Sequence, residues 1–204
     1  MIRRLRADMW ELQGHVNQVG HLAVTVPGTV KALHEASRRF GKLPWSELLQ
    51  PAIALAEEGF IVPQELAATM SRPGEDGHAG VAEIMRSNPA AKKVFTRDGE
   101  PIQVGERFRM PDYAQTLRTI AAGGPNTIYG GGEIGRAIVD DFAKHGGLIT
   151  DEDLSAYKLD IYEPLRGQYR GYEVCGSRPP GSSAQIIETL NILDSFDMAG
   201  LFYA

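Results

Sequence analysis

The apolar positions of this chain change period several times, and glycine or proline marks each change. Residues 1–21 are mixed and polar, with no sustained period. Leu22-Ala-Val-Thr-Val26 reads as a short, largely apolar strand, closed by Pro27-Gly28. Thr29 is placed to cap a helix over residues 30–40, with Val30, Leu33, Ser37 and Phe40 recurring at three and four. Gly41 is expected to end it in the left-handed conformation that glycine adopts freely. Pro44 opens a second helical piece with Trp45, Leu48 and Leu49 as its buried stripe. Pro51 has no backbone N–H to donate, so the pattern restarts there. Ile53 and Ala56 then carry a third piece to Gly59.

Further along, residues 63–70 fit another helix, and residues 71–80 are loop by composition. The stretches 81–86 and 90–95 are ambiguous between helix and strand. Asp98-Gly99 is a hairpin-grade dipeptide inside a turn over residues 96–101. A helix over residues 111–122 starts on Pro111, carries Tyr113, Leu117, Ile120 and Ala121 as its stripe, and stops at Gly123-Gly124-Pro125. Another over 132–145 aligns Ile134, Ile138 and Phe142. Thr150 with Asp153 approximates a capping box, and Asp151, Glu152 and Asp153 oppose the positive end of the helix dipole, so these acids read as structural. From Ile161 the pattern turns to strand, with Gly167-Gln168 and Gly171 as bends. A last helix over 182–193 aligns Ile186, Leu190 and Leu193. The expected class is α+β and helix-rich.

Composition narrows the functions. The chain has 204 residues, 43% of them hydrophobic, and a net charge of −5; a pI near 5.6 leaves no basic face for nucleic acid. Arg3, Arg4 and Arg6 are the one basic cluster and read as a solvated terminus. Cys175 is alone, which rules out an internal disulfide and a cysteine metal site. No apolar run approaches the ~18 residues of a spanning helix, and no apolar h-region follows the basic start, so the chain carries no address of its own.

Candidate chemistry is thin. Gly130-Gly131-Gly132-Glu133-Ile134-Gly135 satisfies G-x-G-x-x-G, but loop rather than strand precedes it, so it reads as a glycine turn and not a dinucleotide site. His15, His21, His34, His78 and His145 include no pair four apart, so no zinc helix is encoded; His145 suits the carbonyl end of its helix. Glu57 and Glu58 are adjacent and do not face each other. Ser182-Ser183 lack a nucleophile elbow and read as a helix cap. From residues alone, then, no catalytic, substrate-binding or metal position is assigned.

A resemblance goes further. Val26-Pro-Gly-Thr-Val30, Phe40-Gly41, Pro44-Trp45, Pro51-Ala52-Ile53 and Ala56-Glu-Glu-Gly-Phe60 open a series of matching motifs. Gly124-Pro125, Tyr129-Gly130 with Glu133-Ile134, and Gly146-Gly-Leu-Ile-Thr150 continue it. Asp153-Leu154, Ala156-Tyr157-Lys158, Tyr169-Arg-Gly-Tyr-Glu-Val174, Pro179-Pro180, Leu190-Asn-Ile-Leu193 and Phe196-Asp197-Met198 complete it. In this order they resemble the γ-glutamyltranspeptidase (γ-glutamyltransferase, glutathione hydrolase) family of the N-terminal nucleophile hydrolases.

The resemblance implies a four-layer αββα sandwich built from two subunits of a self-cleaving proenzyme. It also implies an N-terminal threonine that attacks γ-glutamyl amides of glutathione-like substrates, with its own amine as base and with neither metal nor organic cofactor. On this reading residues 1–22 are a truncated or divergent N-terminal segment. Residues 23–204 are an incomplete large-subunit region whose partner is the small-subunit portion of the same proenzyme.

The nucleophile context of the family, a threonine pair followed by a histidine and a strand, is not present and is expected beyond Ala204. The arginine that holds the substrate carboxylate in the family is expected before Met1, ahead of Asp8-Met9-Trp10. Complete members are often exported. The proline turn of the family usually continues with two serines and two glycines, whereas here it runs Pro179-Pro-Gly-Ser-Ser-Ala184, and relatives on this scaffold hydrolyse other amides, including cephalosporin side chains and oxamate. Two readings stand side by side: part of an amide hydrolase or γ-glutamyl transferase that is inactive by itself, or a non-catalytic scaffold or partner-binding remnant of one.

Overall fold

Gly59 shows how this chain places its elements. Its φ of +79° is open to glycine, and a Cβ there would sit 2.5 Å from the Phe108 carbonyl oxygen. A side chain at this turn would part the short ladder that begins at Phe60. In the computed structural model, residues 16–74, 79–197 and 200 are described, and they fall into two compact units, Met1–Leu159 and Asp160–Ala204.

Among the described residues, the first helical element of the first unit is a 3-10 turn, His21–Ala23, and residues 24–28 belong to no strand ladder. The expected strand over residues 22–26 is therefore absent: no described segment offers it a ladder, and an unpaired strand is not stable. Helices α1 (Thr29–Phe40), α2 (Trp45–Leu48) and α3 (Gln50–Glu58) follow, with Pro51 in the first turn of α3. The three proline- and glycine-bounded pieces are as expected. Gly41, however, has φ −74° and ψ 152°. It is required there because a Cβ would strike the Ser37 carbonyl oxygen, and left-handed geometry plays no part.

After β1 (Phe60–Ile61) come α4 (Gln64–Met70), α5 (Val81–Ser87) and α6 (Pro89–Phe95), so both ambiguous stretches are helical. The second starts on Pro89 after Asn88, whose side chain accepts from the Ala91 N–H. Strands β2 (Thr96–Arg97) and β3 (Glu100–Pro101) pair antiparallel. Asp98 at φ 51° and Gly99 at φ 86° form the turn that the Asp-Gly dipeptide favours. Strand β4 (Arg107–Phe108) pairs antiparallel with β1, Phe60 opposite Phe108. Helices α7 (Pro111–Gly123), α8 (Asn126–Tyr129), α9 (Glu133–His145) and α10 (Asp151–Ala156) complete the unit. The capping box at Thr150 and Asp153 is formed in both directions.

Three clusters make the interior of this unit. Ile120, Ile128, Tyr129, Phe142, Ile149 and Leu154 form one. Val62, Ala67, Met70, Ile102 and Phe108 form the second, and Ile53, Ala56, Ala114 and Leu117 join α3 to α7 in the third. Not every expected stripe faces inward. On α1, Val30 packs on the first cluster, but Leu33 and Phe40 are 58% and 82% exposed, and Leu48 and Tyr113 also point outward. Periodicity locates an apolar face; it does not say whether a neighbour covers it.

In the second unit, β5 (Leu165–Tyr169) and β6 (Tyr172–Gly176) pair from Leu165 opposite Gly176 to Tyr169 opposite Tyr172. Arg170 at φ 48° and Gly171 at φ 82° make the two-residue turn. Gly167-Gln168 lies inside β5 and is not a bend. Gly167 is glycine because a Cβ would strike Ile187 of α11 (Ser183–Asp194). That close approach turns Ile187 inward and leaves the expected stripe member Ile186 53% exposed. Among the described residues of this unit none is buried.

Candidate functional site

Three of the motifs, those carrying Pro27-Gly28, Tyr129 and Tyr157, meet in space around residues 26–30. The Tyr129 hydroxyl donates to the Pro27 carbonyl at 2.5 Å, and the Tyr157 hydroxyl lies so close to Gly28 that a Cβ there would overlap it. The two tyrosine rings stack at 5.5 Å. Lys31 of α1 donates to the Tyr157 carbonyl at 2.5 Å, with its ammonium 5.0 and 5.6 Å from the two ring centroids. The rings attract the cation by their quadrupoles, and burial pushes the Tyr129 hydroxyl pKa up. This knot fixes the entry to α1 against α8 and α10. Both of its hydrogen bonds go to backbone carbonyls.

Beside it an open cleft of about 620 Å³ is lined by Lys31, His34, Glu35, Trp45 and Ser46 on one side and by residues 121–126 on the other. Trp45 is fixed by its Nε1–H donating to the Ile120 carbonyl at 3.0 Å, and His34 meets its ring edge-on at 5.0 Å. Glu35 is committed to its own helix. Arg38 donates to it through Nε and an Nη at 2.8 Å, and Arg39 through Nε at 2.6 Å. These hydrogen bonds, led by those of Arg38, lower its carboxyl from 4.5 to about 2. Because the folded value is depressed, the stabilisation this carboxylate gives is present above about pH 4.5 and is lost as pH falls toward 2. In a ¹³C-detected carboxyl titration Glu35 is expected to titrate near 2 and to move up toward the usual glutamate range in Arg38→Ala; an unchanged midpoint would refute that assignment.

The weighed motifs resolve as follows. Gly132 is glycine because a Cβ would sit 2.5 Å from the Thr127 Cα and 2.6 Å from the Asn126 oxygen, and a Cβ on Gly135 would strike the Ile128 carbonyl oxygen. The glycine run thus seats α9 on α8, as a glycine turn should, and no strand precedes it. Glu57 pairs with Arg118. Asp153 serves the capping box, and its hydrogen bonds with the Thr150 hydroxyl and N–H lower its pKa. Ser182 occupies the N-cap position of α11 without a capping hydrogen bond from its side chain. The expected serine cap is therefore positional only; the backbone of Ser182, at φ −75° and ψ 2°, already lies near the helical region. Ser183 hydrogen-bonds Ser177 at 3.2 Å. Arg3, Arg4, Arg6, Asp8-Met9-Trp10, His15 and His78 lie outside the described residues. Among the described residues, no hydroxyl or thiol is hydrogen-bonded to a histidine, and the Thr150 hydroxyl that donates to Asp153 at 2.7 Å belongs to the capping box.

One cluster has no counterpart in the sequence motifs. His21 Nε2 lies 2.7 Å from Asp141 Oδ2, and His145 Nδ1 lies 3.1 Å from Asp141 Oδ1. The imidazoles stack at 4.8 Å with 18° between their planes. His21 and Asp141 stand 120 residues apart, which hides the pairing. The readable part was Asp141 and His145, four apart on one face of α9.

Comparison with known proteins adds what this geometry lacks. A family model described as gamma-glutamyltranspeptidase matches residues 3–203. The chain is similar to acylase ACY 1 proenzyme of Pseudomonas sp. strain V22, 45% identical over 91% of this chain and 32% of the relative. It is also similar to the glutathione hydrolase proenzyme of Escherichia coli K12, 38% identical over 87% of this chain and 30% of the relative. Among solved structures, the gamma-glutamyltranspeptidase of Helicobacter pylori superposes with a TM-score of 0.82 at 30% identity, covering 98% of this chain and 57% of that one. The chain therefore spans about a third of the length of the curated relatives it matches. Its mixed, helix-rich α/β fold is that of the N-terminal nucleophile hydrolases. No described helix is long and apolar enough to cross a membrane.

Proposed function

Because this chain belongs to the γ-glutamyltranspeptidase family, we propose that residues 23–204 are a large-subunit region of an autoprocessing amide hydrolase or γ-glutamyl transferase. On this reading the catalytic threonine lies outside the chain. Its hydroxyl attacks the γ-glutamyl carbonyl, its amine takes up the hydroxyl proton and passes it to the leaving amine, and water or an amino acid resolves the acyl-enzyme. No metal or organic cofactor is invoked, and the partner is the small-subunit portion of the same proenzyme.

The observation that carries this reading is the family match over residues 3–203. Leu33 and Phe40, seven apart on α1 and both exposed, support it as well, since an apolar helix face of this kind is normally covered in a complete protein. On this reading the part the chain plays is architectural: the Tyr129–Lys31–Tyr157 knot and the α8–α9 glycine contact hold α1, α8, α9 and α10 in place.

A second reading concerns the substrate. Identity to the Pseudomonas acylase is 45%, against 38% to the Escherichia coli glutathione hydrolase, which favours an amide other than a γ-glutamyl one. A third, a non-catalytic remnant, gives no turnover in any form. All are separated by assaying a γ-glutamyl anilide and a dicarboxylic-acyl amide in parallel, with the 204-residue chain and with the product of the uninterrupted reading frame around it. The expected result is background for the chain alone and turnover, with self-cleavage at a threonine, for the longer product. Stop codons immediately flanking the chain, or turnover by the chain alone, would overturn the proposal.

A further inference from the structure

We propose that His21, Asp141 and His145 form a binding site for a zinc-class divalent cation, independent of the amide chemistry above. Two imidazole nitrogens and a carboxylate oxygen are a donor set suited to Zn²⁺, Co²⁺, Ni²⁺ or Cu²⁺. Ca²⁺ and Mg²⁺, which seek a shell of oxygens, are poorly served by it. The three ligand atoms lie within 4.8 Å of one another. A tetrahedral zinc with bonds near 2.0–2.1 Å separates its ligands by roughly 3.4 Å, so the His–Asp141 separations of 2.7 and 3.1 Å open slightly and the imidazoles turn out of their stack to close the shell, with the fourth position left to water.

The site is preorganised beyond the three side chains. The His21 ring stands edge-on to the buried Phe142 at 5.2 Å and 77°, and its stack on His145 keeps the two rings within reach of each other. Gly147 lets the chain pass close by, since a Cβ there would sit 3.1 Å from that of His21. Asp141 and His145 are four apart on α9, which places both donors on one face at the helix end. The His145 Nδ1 also lies 2.9 Å from the Asp141 carbonyl; a metal takes the place of that hydrogen bond and releases its proton. An ion here would tie the 3-10 turn that precedes residues 24–28 to the end of α9.

The test is titration of the metal-free 204-residue chain with zinc chloride in a calorimeter, alongside Co²⁺ absorption spectra. The expected result is one equivalent bound, tetrahedral-type visible bands with Co²⁺, and a zinc-induced rise in Tm of about 5 °C when zinc is at about a hundred times its Kd. His21→Ala and His145→Ala should each weaken binding at least about tenfold, and His34→Ala should not. Asp141→Asn preserves side-chain volume and is expected to abolish the Co²⁺ bands if either alanine variant fails to fold. Absence of binding by the unaltered chain would overturn the site. So would binding that persists unchanged in the His21 and His145 variants, which would show only an ordinary ion pair beside a stray cation.

Discussion

Ile102→Ala is expected to lower the unfolding free energy of this chain by about 3–4 kcal/mol, near the middle of the range for truncating a buried large aliphatic side chain. Ile102 is fully inaccessible, the extreme of a cluster that also contains Val62, Met70 and Phe108. Its backbone is held too, its N–H donating to the Phe95 carbonyl at 3.2 Å. The walls of the vacated space are therefore tied by β1–β4 pairing and by the β2–β3 hairpin and cannot collapse freely. That is the situation in which the cavity adds to the lost transfer energy. Urea denaturation followed by circular dichroism should show a lower midpoint at unchanged slope. For a chain of this size the fall in Tm is on the order of 10 °C. Phe40→Ala is the comparison: the larger side chain, but 82% exposed, and expected to change stability by less than about 0.5 kcal/mol. Equal effects at the two positions would show that the second cluster is not a core.

Gly135→Ala tests a sign. Replacing glycine by alanine within a helix ordinarily stabilises by up to about 1 kcal/mol. Here the added methyl runs into the Ile128 carbonyl oxygen of α8, which is backbone and has no rotamer in which to escape. Overpacking of this kind costs about 1–3 kcal/mol, and contact with rigid backbone belongs at the upper end, so a net loss of about 2 kcal/mol is expected. The damage should spread: α8 also carries the Tyr129 that grips the Pro27 carbonyl. Hydrogen exchange should accordingly quicken at α8 amides and around residues 26–30 before it does in α5 and α6. Gly131→Ala separates the two roles of glycine in the same run. It meets open space but sits at φ +72°, so only the left-handed backbone penalty of about 1 kcal/mol applies. A stabilised Gly135→Ala variant would refute the packing assignment.

Several positions show how much could be read from the chain directly. The helices over Pro111–Gly123 and Glu133–His145, the Asp98-Gly99 hairpin and the Thr150 capping box were legible because each is decided within a few residues, by period, turn chemistry or a local hydrogen bond. The family, too, was legible, because its motifs survive in order. The errors share a cause. Leu22–Val26 has strand composition without a partner strand, Leu33 and Phe40 have helical spacing without a covering element, and Gly41 and Gly167 are glycine for close contacts made by atoms that local sequence does not identify.

The sequence by itself therefore determined the family, through motifs in order, and the helices and turns that are decided within a few residues, since these rest on short-range backbone preferences. Tertiary structure alone decided which apolar faces are covered, that the G-x-G-x-x-G run is a helix contact, and that His21 lies against Asp141 and His145. The reason is that a pairing across 120 residues leaves no periodic trace: it depends on where the intervening helices turn the chain, and only packing in three dimensions sets that.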